Sequence, residues 1–347
     1  LLGIISKNKF CIAVAGTHGK TTTASILSHI LLENNIKFTS FIGGISENYN
    51  TNFIQNGDEI ILVEADEFDK SFLKLNPHYA CITSLDVDHL DIYRNSNQLH
   101  LAFRDFAENV KSDGLLITHE DLNLNSLKYG DKSESNFRIS NPEFKSRLST
   151  FNFQSNKWSI NNLKLPLTGH HNVLNATAAI ALALEIGVSE NQIISSLLSF
   201  KGIKRRFSYQ IDSDDIIYID DYAHHPEEIN KVYQSLKSIY PEDKFLVVFQ
   251  PHLYTRTRDL INDFAKSLSQ FDAVILLEIY PAREVPIEGI NSAWLLEKIY
   301  SDNKIICKKP EISGFIKKIG HKVNITLGAG DIANEVEHIK QELIYAN

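Results

Sequence analysis

The densest chemistry in this chain lies in Ala13-Val14-Ala15-Gly16-Thr17-His18-Gly19-Lys20-Thr21-Thr22-Thr23. An apolar run enters a glycine turn, meets Lys-Thr, and continues into a stretch with helical spacing. Glycines let the backbone turn so that several amides aim at one anion, and a helix start adds favourable potential for it. A lysine here reaches the β- and γ-phosphates of a nucleotide, and the following hydroxyl suits Mg²⁺. Gly16, Thr17, His18, Gly19, Lys20, Thr21 and Thr22 are therefore the candidate ATP-binding residues. The spacing departs from the eight-residue phosphate-loop pattern at Val14, where that pattern has glycine. Gly-Lys-Thr also occurs in incidental turns, but a strand before it and a helix after it favour a phosphate loop.

Four further clusters also follow strand-like runs. Val63-Glu64-Ala65-Asp66-Glu67-Phe68-Asp69 supplies carboxylates, the hard oxygen ligands that Mg²⁺ takes alongside phosphate. The alternative is a solvated acidic loop or a helix cap. Asp86-Val87-Asp88-His89-Leu90-Asp91 places one imidazole among acids. A lone His of this kind is structural more often than catalytic, yet its place after a neighbouring strand argues for a site. Asp220-Asp221-Tyr222-Ala223-His224-His225-Pro226 contains types that bind transition metals, but adjacent histidines do not easily face one ion. A substrate or phosphate site is the better reading. Gln250 to Arg258 adds Arg256 and Arg258, whose guanidinium donors match carboxylate and phosphate. Read instead as the start of a helix, these arginines would oppose its dipole, which also favours a functional role.

The elements that must position these groups alternate along the chain. Phe10–Ala15, Glu59–Val63, Tyr79–Thr83 and Gly114–Thr118 are short apolar runs, and helical spacing covers Thr21–Asn34 and His171–Ile186. This alternation predicts an α/β fold with a mostly parallel sheet, whose ligands sit beyond the carboxyl ends of the strands. Glu120–Ile160 is polar and predicts turns and short antiparallel strands at the sheet edge. A boundary near Gly202–Phe207 separates a domain over 1–203 from a smaller α/β domain over 204–347. The second series has strand runs at Ile216–Ile219, Phe245–Phe249, Ala273–Glu278 and Asn324–Leu327, with helical patterns at Pro226–Tyr240 and Arg258–Gln270.

Composition narrows the function classes. Of 347 residues, 43% are hydrophobic, which supplies two domain cores, and the net charge of -8 argues against a nucleic-acid surface built on bulk positive charge. No apolar stretch approaches the ~18–20 residues needed to span a membrane. Cys11, Cys81 and Cys307 lie far apart in or beside apolar runs and read as reduced, buried thiols of a cytoplasmic protein. There is no Met, even at position 1, so the chain is expected to be a piece whose natural beginning lies upstream. Nothing in the sequence bears on oligomeric state.

The segments GTHGKTTT, VEADEFDKSF, DVDHLD, GHHNVLNATAA, RRF, DDYAHHPEEI, FQPHLYTRTRD, IYPARE and LGAGD occur in the order found in Mur-type amide-bond ligases. The chain resembles that family through nearly all its length, and most of all its alanine-adding branch. The resemblance implies a central ATP-binding domain with a phosphate loop, then a Rossmann-like C-terminal domain that binds the amino acid. The family's first domain, which binds the UDP-sugar, would precede Leu1, so residues 1–347 are expected to bind Mg-ATP but not to ligate alone. The implied reaction joins L-alanine to UDP-N-acetylmuramate through an acyl phosphate, with ATP and Mg²⁺, in bacterial peptidoglycan precursor synthesis. Two alternatives are a relative that adds a recycled tripeptide and a non-catalytic nucleotide-binding relative.

The resemblance also implies roles for single residues. Lys20 and Thr21 would bind phosphate and Mg²⁺, Glu64 would be a magnesium ligand, and His89 a ligand to a second metal or a water beside it. Asn172 and Asn175 would approach the adenine, and Arg206 would reach the phosphates on domain closure. Tyr222, His225, His252 and Arg256 would line the alanine and acyl site, with His225 the candidate base. His170 stands where a stronger cation is expected.

Overall fold

A computed structural model describes residues 2–85, 96–145 and 147–344, and the chain forms two compact units, Leu1–Lys204 and Arg205–Asn347. The motif Asp86–Asp91, including His89, lies outside the described residues.

The first unit opens with a short helix α1 (Leu2–Ile5) and then β1 (Phe10–Ala15), in which every residue from Cys11 to Ala15 is buried. Such an unbroken apolar strand belongs in a sheet covered on both faces. Alternate side chains serve the two faces. Ile12 and Val14 pack with α2 (Lys20–Glu33) and α4 (His170–Ile186). Ala13 and Ala15 pack with Phe103 and Phe106 of α3 (Ser96–Glu108). The remaining elements are β2 (Phe38–Phe41), β3 (Phe53–Gln55), β4 (Ile60–Glu64), β5 (Tyr79–Ile82), β6 (Leu115–His119), β7 (Leu127–Gly130), β8 (Phe137–Lys145), β9 (Leu148–Gln154), β10 (Ser159–Leu165) and α5 (Glu190–Ser199). They form one sheet in the order β10-β9-β8-β7-β6-β5-β1-β4-β2-β3. The central strands β2, β4, β1, β5, β6, β7 and β8 run parallel to their neighbours in turn. In β1, Val14 pairs with both Glu64 and Cys81, so β1, β4 and β5 end on one edge.

The polar stretch expected to hold turns and short antiparallel strands forms β7 to β10, of which β8 and β9 are nine and seven residues long. The β7–β8 pair is parallel, whereas β8, β9 and β10 pair antiparallel. Their apolar positions recur every second residue, as in Phe151 and Phe153, and face the core beside α4 while the intervening positions face out.

The second unit has the sheet order β11-β12-β16-β13-β14-β15, built from β11 (Ser208–Asp212), β12 (Ile217–Asp221), β13 (Phe245–Phe249), β14 (Ala273–Leu276), β15 (Asn303–Ile306) and β16 (Val323–Leu327). All neighbours are parallel except β11 with β12. Its helices are α6 (Pro226–Ile239), α7 (Tyr254–Asp259), α8 (Ile261–Leu268), α9 (Ser292–Lys298), α10 (Ile312–Ile319) and α11 (Val336–Ile344). Asp221, Leu327, Phe249 and Leu276 stand in register, which brings the loops after four strands to one edge.

One expectation needs correcting. The single helix predicted over Arg258–Gln270 is two, because Leu260 leaves helical geometry at φ -113° and ψ 21°. Arg256 and Arg258 therefore fall in the last turn of α7, where a cation suits the helix dipole. The supposed conflict with the dipole does not exist, and it no longer argues for function at these arginines.

Candidate functional site

In the first unit, the loop after β1 turns at Gly16, φ 128°, and Gly19, φ 86°, before α2 begins at Lys20. Both glycines are required by space as well as by φ. A Cβ on Gly16 would lie 2.2 Å from Thr83 Oγ1, and one on Gly19 would lie 2.5 Å from Asn175 Oδ1. The loop is held from the next strand: the Thr17 amide donates to the Ser84 carbonyl and the His18 amide to Ser84 Oγ. Thr83 Oγ1 donates to the His18 carbonyl at 2.5 Å. The first amides of α2 have no intrahelical acceptor, which makes this edge a place for an anion.

Lys20 Nζ donates to the Gly16 carbonyl and to Glu67 Oε2, each at 2.7 Å. Glu67 is fully buried, and burial raises its carboxyl above the usual range while the Lys20 charge pulls it back. Thr21 Oγ1 donates to Glu64 Oε1 at 2.7 Å, and the Gly43 amide donates to Glu64 Oε2 at 2.5 Å. Thr21 and Glu64 thus offer adjacent hard oxygens at the mouth of the anion turn. That donor set fits Mg²⁺, which keeps water and phosphate in its shell. Among the described residues there is no group of three or more His, Cys, Asp or Glu able to hold a metal.

Asn175 lies against Gly19 and accepts from Thr23 Oγ1 at 3.5 Å. Asn172 donates from Nδ2 to the Thr168 carbonyl at 2.7 Å, one turn back in the chain. Both asparagines are buried, and Asn175 touches the loop directly. His170 pairs with Asp131 at 3.1 Å.

In the second unit the loops after β12, β13 and β14 bring a different set together. Tyr222 lies beneath two guanidinium groups, Arg205 at 5.3 Å and Arg206 at 5.2 Å. Its ring meets that of His224 edge-on at 5.3 Å, His224 meets His252 at 6.0 Å, and His252 stacks on Tyr280 at 5.7 Å. Arg256 Nη1 lies 3.4 Å from His252 Nδ1. Burial, together with the charges of His224, Arg256 and Arg283, pushes the His252 imidazolium down to about 4. His225 points elsewhere. It is buried and serves as the N-cap of α6, with Nδ1 accepting from the Glu227 amide at 3.4 Å. Glu228 Oε2 closes this cap by accepting from the His224 and His225 amides.

Asp220, Asp221, Gln250 and Glu67 entered the sequence reading only as members of their motifs, and the structure gives each its own partners. Buried Asp220 accepts from Arg205 Nε at 3.1 Å and from Thr326 Oγ1 at 2.8 Å. Asp221 accepts from the amides of Phe207 at 2.6 Å and Ala223 at 2.7 Å. Burial raises Asp221 to about 6, against the pull of Arg206. Gln250 bridges Asp331 and the Ile332 amide, each at 2.8 Å, and so locks the loop after β16. Gly43, Thr83, Ser84 and Glu228 complete the set.

A glycine turn into a helix on a mostly parallel sheet, followed by a second and smaller α/β unit, is the architecture of a nucleotide-binding protein of two α/β units. Residues 14–183 match the Mur ligase middle domain, and residues 205–331 match the domain described as Mur ligase, glutamate ligase domain. The UDP-N-acetylmuramate–L-alanine ligase of Christiangramia forsetii is 51% identical over 345 residues, covering 99% of this chain and 76% of the relative. That of Flavobacterium psychrophilum is also 51% identical, over 343 residues, with 99% and 77% covered. The crystal structure of the UDP-N-acetylmuramate–alanine ligase from Thermotoga maritima superposes with a TM-score of 0.82 at 28% identity, covering 99% of this chain and 77% of that one. The chain belongs to the Mur ligase family. It spans about three quarters of the length of these relatives.

Proposed function

We propose that this chain works as an ATP-dependent ligase that joins L-alanine to UDP-N-acetylmuramate in peptidoglycan precursor synthesis. The observation that carries this reading is identity of 51% across 99% of the chain with ligases of that name. The loop between β1 and α2 supports the nucleotide half independently of any name. The first unit is assigned to ATP and the second to the amino acid. Use of ATP and small substrates, with buried free thiols at all three cysteines, is consistent with a cytoplasmic setting.

The reaction has two steps. A carboxylate oxygen of the lactyl group attacks the γ-phosphorus of ATP. The bridging P–O bond breaks, ADP leaves, and an acyl phosphate forms. The alanine amine, made neutral by loss of a proton to a base or water, then attacks the acyl carbon; the C–O bond to phosphate breaks, inorganic phosphate leaves, and the nitrogen releases a further proton to solvent as the amide forms. Both partners of the first step are anionic, so catalysis depends on charge stabilisation. The amides of Gly19 to Thr22 and the Lys20 ammonium would hold the β- and γ-phosphates, with Gly16, Thr17 and His18 shaping the turn. Mg²⁺, held through Thr21 and Glu64, would neutralise charge on the transferring phosphoryl group. Arg206 would add positive charge at the start of the second unit, and Asn175 would brace the nucleotide loop.

For the second step, Tyr222, His252 and Arg256 would line the amino-acid side, with Arg256 suited to a carboxylate. At pH 7 His252 is neutral, and its low basicity makes it a hydrogen-bonding group in preference to a proton acceptor. His225 would act by capping α6 and so presenting His224. The test, run on the full-length protein, measures ADP release with UDP-N-acetylmuramate plus either L-alanine or a tripeptide. Release that requires L-alanine supports the reading; release with tripeptide alone overturns the choice of amine, and release with neither overturns ligation.

A further inference from the structure

The turn after β2 carries a group that the nucleotide site depends on. Glu64 is held at both carboxylate oxygens, by Thr21 Oγ1 on one and by the Gly43 amide on the other. The amide belongs to Ile42-Gly43-Gly44, which continues from β2, the strand paired in parallel with β4. The approach is close. A Cβ on Gly43 would fall 2.6 Å from Glu64 Oε1 and 2.8 Å from its Cδ and Oε2. Gly43 has no left-handed φ, so glycine stands here for space and not for backbone freedom. At Gly44 a Cβ would fall 2.8 Å from Thr21 Cγ2 and from Ile203 Cγ2. Two consecutive glycines therefore admit the two oxygen donors, Glu64 and Thr21, into one place.

We propose that Gly43 is a positioning residue for the divalent cation: its amide fixes the orientation of Glu64, and its missing side chain leaves the room that orientation needs. An amide donor on the outer oxygen fixes the carboxylate rotamer, so Oε1 stays beside Thr21. Partners of this outer kind tune metal affinity by about 10- to 100-fold in metal sites generally. Without the amide contact the carboxylate swings away from Thr21, and the paired donor set is lost.

This inference rests on the reading of Glu64 as a metal-side residue, so the experiment carries both. Calorimetry measures ATP binding to the protein without divalent cation and then across a Mg²⁺ titration, for wild type, Gly43→Ala and Glu64→Ala. The expected result is that Gly43→Ala binds metal-free ATP like wild type yet needs roughly 10-fold or more Mg²⁺ for the same gain in affinity. Glu64→Ala should lose most of that gain. If Glu64→Ala keeps the wild-type Mg²⁺ dependence, the metal-side reading itself fails. If Glu64→Ala loses it while Gly43→Ala keeps it, the positioning role of Gly43 is overturned. A weaker affinity for metal-free ATP in Gly43→Ala would also overturn it, since that marks general damage to the loop. Should Gly43→Ala show no cooperative thermal transition, the double variant Gly43→Ala with Glu64→Asp decides, because the shorter side chain withdraws from the new methyl. Restored folding supports the steric basis, and continued failure to fold overturns it.

Discussion

At the residue scale, Lys20 and the pair Asp221 and His252 carry the sharpest expectations. Lys20→Ala removes the one side-chain ammonium bonded to the Gly16 carbonyl. Removing a preorganised charge donor typically costs about 10²- to 10³-fold in turnover. The same loss is expected in steady-state ADP release by the full-length protein carrying Lys20→Ala, with wild-type turnover refuting the role of Lys20. Asp221 and His252 act in opposite directions on stability. The native state takes up the Asp221 proton near pH 6 while the unfolded chain waits until 3.8, so this group favours folding in acid and its contribution is lost as pH rises through about 6. His252 resists protonation until about pH 4 while the unfolded side chain protonates near 6.5, so its contribution is lost as pH falls through that range. Urea melts at pH 6.5 and 4.5 separate them: His252→Gln should lose less stability on acidification than wild type, and Asp221→Asn should lose more.

Which of two neighbouring histidines joins the aromatic cluster was not legible in the sequence. His225 has extended backbone at φ -119° and ψ 146°, so successive side chains point to opposite sides. The consequence is that His224 meets Tyr222 and His252 while His225 turns into the protein. The placing of Lys20, Thr21 and Glu64 at or just beyond the ends of β1 and β4 was legible, because each follows an unbroken apolar run. Gly43, Thr83 and Ser84 were not, since their contacts to the nucleotide loop and Glu64 span 21 to 68 residues.

At the element scale, central strands declared themselves and edge strands did not. β1 and β13 are buried throughout or nearly so and read as plain apolar runs. β11 and β15 lie at sheet edges with mixed polar sequences, SYQID and NKII, and carry no such signal. The end of α4 was legible: the helix expected over His171–Ile186 stops where α4 stops, and Gly187 follows it in left-handed geometry at φ 105°. A Cβ there would meet nothing within 4 Å, so substitution probes backbone strain alone. Gly187→Ala is expected to destabilise the first unit by about 1–2 kcal/mol, read as a lower urea midpoint with unchanged slope. Glu228→Ala opens the cap of α6, and a loss of about 1 kcal/mol in the second unit should appear in the same measurement.

At the scale of the whole molecule, two compact units with separate cores predict two separable unfolding events. Mg-ATP at a hundred times its dissociation constant stabilises whatever binds it by about 2.7 kcal/mol. Differential scanning calorimetry should therefore show the transition of the first unit rising with nucleotide while that of the second moves little. An equal rise in both would contradict the assignment of ATP to the first unit.

The contact between Lys20 and Glu67 has a consequence for how a nucleotide arrives. The ammonium already faces a buried anion at 2.7 Å, so incoming phosphate does not meet a bare charge but competes for one. Binding then becomes an exchange of one anionic partner for another, and the measured affinity is a difference between two pairings. Replacing Glu67 by a neutral side chain would tilt that exchange towards the nucleotide, while removing the internal counter-ion of Lys20.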